Sequence, residues 1–417
     1  SRPGGHGALR ALLGLDAPVR LERDRVLLEA GPGKALAFTA FDATDAADRP
    51  LALSLEPQGQ ALSIAVHDAA ASYPITIKTL IQSSADRRLQ VDQISARFGI
   101  AVAAVDDLTA DGIEELLVGA PDWDGGSSNE GAVFVFAGDA SGPLPTPLYR
   151  VESDQANARL GSSVAGAADI DGNSLGDFVA GAPGYDAGQS NEGAVFVFDG
   201  LDLLLGNLAP RQILQLDVAN AAFGSAVAGG SDLNGDGLAD VIAAAPDLVS
   251  GSTLGGRVAI YFGAAAGAPM TQVNVINSFD TAAALGSSID MAGDLNGDGL
   301  GDIVIGVPNA TDGQRALVYF GTAGAQFLTA VDGTLIPPQF SAGFASRVAG
   351  IGDVNGDGFA DLAIGAPSAT LGEAQEGLVY LYFGGPGATF NSGNDGVLQV
   401  NQAGAAFGVG LASAGDF

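Results

Sequence analysis

"DLNGDGLAD", Asp232 to Asp240, is the stretch whose reading decides the fold. Acids stand at its first, fifth and ninth positions, an amide at the third, and glycines between them. The pattern returns as "DLNGDGLGD" from Asp294 and "DVNGDGFAD" from Asp353, and in looser form as "DIDGNSLGD" from Asp169 and "DLTADGIEE" from Asp107. Like charges held about 4 Å apart repel by about 4 kcal/mol per pair at an effective dielectric of 20. A cation is the natural partner of such a loop.

Each nonapeptide sits in a fixed frame. Nine residues before it stands an aromatic or Leu, usually followed by Gly: Phe98-Gly99, Leu160-Gly161, Phe223-Gly224, Leu285-Gly286 and Phe344-Ala345. After it comes an apolar run closing in Pro121, Pro183, Pro246, Pro308 or Pro367, then a second apolar run such as "GAVFVF" at Gly131 and Gly193. A weaker strand-like stretch leads into the next copy. The starts at 98, 160, 223, 285 and 344 are spaced by 62, 63, 62 and 59 residues. Four short β-rich runs per repeat, split by Gly, Pro, Asn and Asp, match one blade of a β-propeller, because no apolar spacing near 3.6 supports helical repeats. The expected fold is therefore all-β, with four-stranded blades over residues 89–417. Residues 26–88, with "LAFTAFDAT" and "YPITIKTLI", alternate apolar and polar residues like strands and read as a small β-rich module. Residues 1–25 remain unassigned.

The chain has 417 residues, no Cys and only His6 and His67 as histidines. Thiolate chemistry is excluded and imidazole sites nearly so. The net charge of −31 lies wholly in the repeats: residues 1–97 balance 11 basic against 11 acidic side chains, whereas 98–417 carry 6 basic and 37 acidic. That argues against nucleic acid and anionic membrane surfaces as partners. No apolar run reaches the length of a membrane span. "SRPGGHG" gives way to charged sequence without the long apolar region of a complete signal peptide.

Ca²⁺ takes six to eight oxygens, which a flexible loop supplies when alternate residues point inward. The expected ligands are the side chains at positions one, three, five and nine and the backbone carbonyl at seven. In the complete copies these are Asp232, Asn234, Asp236, Leu238 and Asp240; Asp294, Asn296, Asp298, Leu300 and Asp302; and Asp353, Asn355, Asp357, Phe359 and Asp361. The looser copies offer Asp107, Thr109, Asp111, Ile113 and Glu115, and Asp169, Asp171, Asn173, Leu175 and Asp177. Thr109 replaces an acid or amide, and Ser174 stands where the turn Gly belongs, so weaker sites are expected in the first two loops. Closure at position nine between strands distinguishes these loops from an EF-hand, which closes at position twelve between helices. Mg²⁺, which demands strict octahedral geometry, fits less well.

Phe-Gly, acidic loop and Gly-Ala-Pro, in that order every sixty-odd residues, resemble the FG-GAP repeats of the integrin α-subunit N-terminal β-propeller and its bacterial relatives. The resemblance covers about residues 89–417. It implies blades of four strands, typically seven to a ring, with one Ca²⁺ per loop, up to five here, between the first and second strands. Partners would bind the opposite face, where it puts Trp123 in "PDWDGGSSNEG" and Tyr185 in "PGYDAGQSNEG". "VHDAAASYPITIKTLI" resembles a segment preceding such repeats in large secreted bacterial proteins. Five complete repeats and the opening of a sixth, with Phe407-Gly408 and Asp416, fall short of seven, so a continuation in a parent protein is expected.

The expected function is a non-catalytic, extracellular, calcium-stabilised module for adhesion or for protein or glycan recognition. A structural subunit of a surface filament, pairing with copies of itself through exposed blade edges, is one alternative. A calcium-dependent polysaccharide lyase or hydrolase is another, with Glu130 and Glu192 as its best acids. The recurrence of those two in successive blades argues for a turn role instead.

Overall fold

A computed structural model describes residues 89–412 apart from 140–141, 249–254, 279, 281–282, 325, 328–329 and 338–341, and before residue 89 the strands named below with Arg49. His6, His67 and Asp416 lie outside the described residues. Two compact units divide the chain: Ser1–Arg88 together with Ala140–Gly142, and Leu89–Asp139 together with Pro143–Phe417.

The first unit is built of antiparallel strands. Leu9–Gly14 pairs with Ala61–Val66, which pairs with Leu53–Pro57. Val19–Glu22, Arg25–Gly31, Lys34–Thr44 and Pro50–Leu51 follow in order in a second sheet, and Thr76–Ile81 also pairs with Lys34–Thr44. Strands from 1–25 and from 26–88 thus share the same sheets.

The second unit holds five four-stranded antiparallel sheets, the blades of a β-propeller. Blade one comprises Val102–Val105, Glu115–Ala120, Ala132–Phe136 and Tyr149–Glu152. Blade two comprises Ser163–Ala168, Asp177–Ala182, Ala194–Phe198 and Gln212–Leu214. Blade three follows with Ala226–Ser231, Asp240–Ala245, Arg257–Phe262 and Thr271–Asn277. Blade four has Ile289–Gly293, Asp302–Val307, Arg315–Tyr319 and Gly333–Leu335. Blade five has Arg347–Gly352, Asp361–Ala366, Leu378–Tyr382 and Gly396–Leu398. The helix among the described residues is a single short turn, Gly200–Leu204.

Burial explains the residue choice. The second strands of blades two to five are buried at every position. Their sequences accordingly read as continuous apolar runs rather than alternating ones. First strands alternate more, as in Ser163–Ala168, and pack against the first strands of adjacent blades.

The Phe-Gly and Gly-Ala-Pro signatures meet at the blade borders. Gly224 has φ +84°, and its amide donates to the Ala244 carbonyl of its own blade at 3.0 Å. Its carbonyl faces the previous blade, where a Cβ on Gly181 would stand 1.9 Å from that oxygen. Glycine is therefore required by close backbone approach at Gly181 and by positive φ at Gly224. The Leu or Phe before the second glycine is knotted in by parallel bridges, Gly131 to Leu160, Gly193 to Phe223 and Gly377 to Phe407.

Candidate metal centres in the acidic loops

Every acidic loop joins the first strand of a blade to the second. In blades two to five the position-nine acid opens the second strand and pairs with the residue just before the loop, across a β-bulge: Ala168 with Asp177, Ser231 with Asp240, Gly293 with Asp302, and Gly352 with Asp361. Bulges re-aim side chains at strand ends. Here they turn the acid back under the loop.

The third loop shows the arrangement. Asp232 Oδ1 accepts from the amides of Asn234 at 3.1 Å and Gly235 at 2.6 Å, and Oδ2 from Gly237 at 2.8 Å. Asp240, fully buried, accepts from Leu233 at 2.6 Å and from Gly263 at 2.8 Å. Each position-nine aspartate repeats this pair of contacts, one to position two and one to the glycine after the third strand: Gly200, Gly321 or Gly384 in the other blades. Glu115, one methylene longer, accepts instead from the Leu108 amide and the Thr109 hydroxyl.

Burial pushes Asp177, Asp240 and Asp302 up to about 7, against the pull of those amides. Desolvation raises Glu115 and Asp361 as well. Asp353 moves the other way, held below its ordinary value by the Gly358, Gly356 and Asp357 amides. Buried carboxylates that favour their protonated form when alone are ones whose ionised form needs a positive partner. A carboxylate has about four lone-pair sites, so two amides leave capacity for an ion. The donor set of carboxylates, amide oxygens and backbone carbonyls fits a hard cation such as Ca²⁺.

The loops are not equivalent. In the first and second, the carboxylate oxygens of Asp107, Asp111 and Glu115, and of Asp169, Asp171 and Asp177, lie within 4.8 Å of one another. In the other three, the position-three amide ties up position five: Asn234 Nδ2 donates to Asp236 at 3.0 Å, Asn296 to Asp298 at 3.0 Å and Asn355 to Asp357 at 2.9 Å. Thr109 and Asp171 have no amide nitrogen to do this, so the looser copies gather their acids more closely than the sequence pattern leads one to expect. Ser174 does not break its turn either; it adopts φ +69° in place of glycine. Leu175, Leu238, Leu300, Ile113 and Phe359 occupy position seven, where each amide donates to the residue at position five.

Two residues at the second loop have no counterpart in the nonapeptide. Asp199, just past the third strand, caps the Gly200–Leu204 helix and accepts from Asn173 Nδ2 at 3.2 Å. Arg211 donates through Nη2 to the carbonyls of Ala264 at 2.7 Å and Ala268 at 2.9 Å, with Nη1 3.9 Å from Asp171 Oδ2. Burial, and after it the neighbouring Asp199 carboxyl, pushes Asp171 up to about 6. "VFDG" at residues 197–200, against "YFG" in the next three blades, is the signal that could have marked Asp199.

Trp123 and Tyr185 both pack on their own blades. Trp123 stands edge-on to Phe134 with centroids 5.2 Å apart, donates Nε1 to Glu152 at 3.0 Å and lies under Arg150 at 5.1 Å. Tyr185 meets Phe196 edge-on, also at 5.2 Å. Both rings remain partly exposed. Glu130 and Glu192 are fully buried, their carboxylates accepting amides of their own loops, Gly126 and Ser127 for the first, Ala187 and Gln189 for the second. Glu130 also lies near Glu152 and Asp154, but Glu152 is taken by Trp123 and by Arg150 at 2.6 Å.

Four-stranded blades with an acidic loop between first and second strands define an acidic-loop β-propeller repeat protein. The FG-GAP repeat model matches residues 98–136, 160–198, 223–261, 285–321 and 344–382, so the chain carries five FG-GAP repeats. It is 32% identical over 218 residues to integrin alpha-V of Gallus gallus, covering 50% of this chain and 20% of the relative. Over 164 residues it is 34% identical to integrin alpha-5 of Xenopus laevis, 37% of this chain and 15% of the relative. Phosphatidylinositol-glycan-specific phospholipase D of Mus musculus is 36% identical over 197 residues, 46% of this chain and 22% of that protein. The chain thus matches about a fifth or less of these relatives' lengths. Among the described residues, no helix is long and apolar enough to cross a membrane.

Proposed function

We propose that the chain is an extracellular, calcium-stabilised, non-catalytic interaction module whose loops hold Ca²⁺ and whose opposite face receives a protein or glycan. The observation that carries this reading is the fivefold recurrence of an oxygen-rich loop with an acid at position nine, buried in every blade. The residues that would hold the ion are those at positions one, three, five and nine, with the position-seven carbonyl. The ion would supply positive charge to carboxylates that burial otherwise pushes toward protonation. Extracellular modules bind Ca²⁺ with Kd of about 10⁻⁴–10⁻³ M, so such loops fill outside a cell and empty inside it. An ion that binds only the folded chain adds about 2.7 kcal/mol per site at one hundred times Kd.

The engagement of Glu130 and Glu192 with the amides of their own loops supports the non-catalytic reading. The negative charge of the repeats argues against nucleic acid. The part-exposed rings of Trp123 and Tyr185, stiffened by their packing, are apolar anchors of the kind that protein and sugar contacts use. The test is thermal unfolding by circular dichroism in EGTA and then in rising Ca²⁺ or Mg²⁺. A melting temperature that climbs with Ca²⁺ and hardly with Mg²⁺ supports the reading. Indifference to Ca²⁺ overturns it.

A further inference from the structure

We propose that the second loop is the tightest calcium site of the chain, and that Asp199, from outside the loop, is a fourth carboxylate of that site. This rests on the loops being calcium sites at all, and goes against the ranking that the sequence pattern alone suggests.

Three independent features meet there. First, Asp171 is 4% exposed and its Oδ2 has no hydrogen-bond partner, although Oδ1 accepts from the Asn173 amide at 3.1 Å. An unmatched carboxylate oxygen in a buried place is costly, and the oxygens of Asp169 and Asp177 lie within 4.8 Å to share a ligand with it. No other acidic loop carries such an orphan among the described residues.

Second, the third strand of this blade ends in Asp199 where blades three, four and five have Phe262, Phe320 and Phe383, and blade one has Ala137. Asp199 is fixed by the Leu201 amide at 2.8 Å and by Asn173 Nδ2. Its neighbour Gly200 donates to Asp177 at 2.9 Å, so the helix cap and the loop floor form one unit. Asp169, Asp171 and Asp177 form the group itself, with Asn173 as a neutral oxygen, and Asp199 stands at its edge beside Asp171 and Asn173, so the site can call on a fourth carboxylate against three acids in each of the other loops. Ca²⁺ affinity rises with the number of charged ligands and with the rigidity of the site.

Third, the one positive side chain nearby, Arg211, is held away by its bonds to the Ala264, Ala265 and Ala268 carbonyls. Its Nη1, 3.9 Å from Asp171 Oδ2, is itself without a hydrogen-bond partner. The guanidinium offsets part of the charge without satisfying the carboxylate, whose Oδ2 keeps its lone pairs for a cation.

The experiment is calorimetric titration of the full chain, stripped of metal, with CaCl₂ alone. The expected wild-type isotherm has one tight class of a single site above a weaker class. Asp199→Asn keeps the helix cap and the contact to Asn173, because Asn is as good a cap as Asp. It should weaken the tight class at least tenfold, leave the weaker class unchanged and not lower the metal-free melting temperature. Asp171→Asn should do the same, whereas Asp298→Asn in the fourth loop should reduce only the weaker class. A tight class untouched by Asp199→Asn, or lost with Asp298→Asn, overturns the assignment while leaving the loops as calcium sites. Wild-type chain that takes up no Ca²⁺ overturns both this inference and the function on which it rests.

Discussion

Calcium removal should make stability fall more steeply with rising pH. Asp177, Asp240 and Asp302 have folded-state values of about 7 because they are buried, against an ordinary 3.8. Between those limits the folded, metal-free chain binds more protons than the unfolded one, so its stability falls as pH rises through this window. The gap between the two values corresponds to at most about 4 kcal/mol per carboxylate. If water entering the empty loop removes three quarters of that, about 1 kcal/mol per site remains, and three sites give about 3 kcal/mol, a change of several degrees in melting temperature. Acids with lowered values, such as Asp107, Asp122 and Asp353, work in the opposite direction, but their stabilisation is lost only as pH falls below about 4. Melts in EGTA from pH 4.5 to 8 should therefore show a falling melting temperature. In saturating Ca²⁺ the loop carboxylates stay ionised in the folded state, and Asp290, pushed to about 6 by burial in the first strand of blade four, keeps a small downward slope below pH 6. A metal-free chain whose melting temperature rises steadily from pH 4.5 to 8 would refute the reasoning.

Three further outcomes test the packing. Gly181→Ala, which forces a Cβ to 1.9 Å from the Gly224 carbonyl, should cost about 3 kcal/mol or more, whereas Ala244→Gly at the same place in blade three should cost about 1 kcal/mol; urea unfolding in Ca²⁺ compares them. Ser174→Gly relieves a positive φ of +69° on an exposed side chain and should raise stability by about 0.5–1 kcal/mol in the same assay. Trp123→Ala should destabilise by about 2 kcal/mol through lost contact with Phe134 and Arg150, while Trp123→Phe, losing chiefly the bond to Glu152, should cost about 1 kcal/mol.

How much was legible depended on how local the cause was. The nonapeptide is a local object: its alternating acids and glycines specify a turn whose amides wrap the first Asp, and all five loops take that form. The second strands were legible too, because burial on both faces leaves an unbroken apolar run such as "DIVIGV". Hidden from the sequence were effects that need a neighbouring blade. Gly181 reads as a small residue in a strand until the Gly224 carbonyl is placed against it. Thr109 and Ser174 read as defects, yet Ala110 and Ser174 accept positive φ and the first two loops gather their acids best. The contact of the Asn at position three was not legible either: its amide nitrogen donates to the carboxylate at position five. Asp199 and Arg211 escaped because they lie 22 and 34 residues beyond Asp177 in a different part of the repeat. Trp123 and Tyr185 were legible as aromatic loop residues, whereas their seats on Phe134 and Phe196 were not.

The loops are also joined to one another. The Asp107 carbonyl accepts from the Gly176 amide of the second loop at 3.2 Å, Asp169 from Ala239 at 3.0 Å, Asp232 from Gly301 at 2.8 Å and Asp294 from Ala360 at 2.9 Å. In each case position one of a loop receives position eight of the next. A side chain at position one and the carbonyl behind it belong to the same residue, so whatever fixes the carboxylate also fixes the acceptor that orients the next loop. Position eight, in turn, precedes the buried acid at position nine. Order at one loop is thereby handed to the acid of its neighbour through two covalent steps and one hydrogen bond. This is the one-dimensional coupling expected of stacked repeats, in which each unit is stabilised by the interface with the next. It gives a physical reason for the uniform register of the nonapeptides: a residue inserted in one loop would misplace both its own acid and the amide that its predecessor requires.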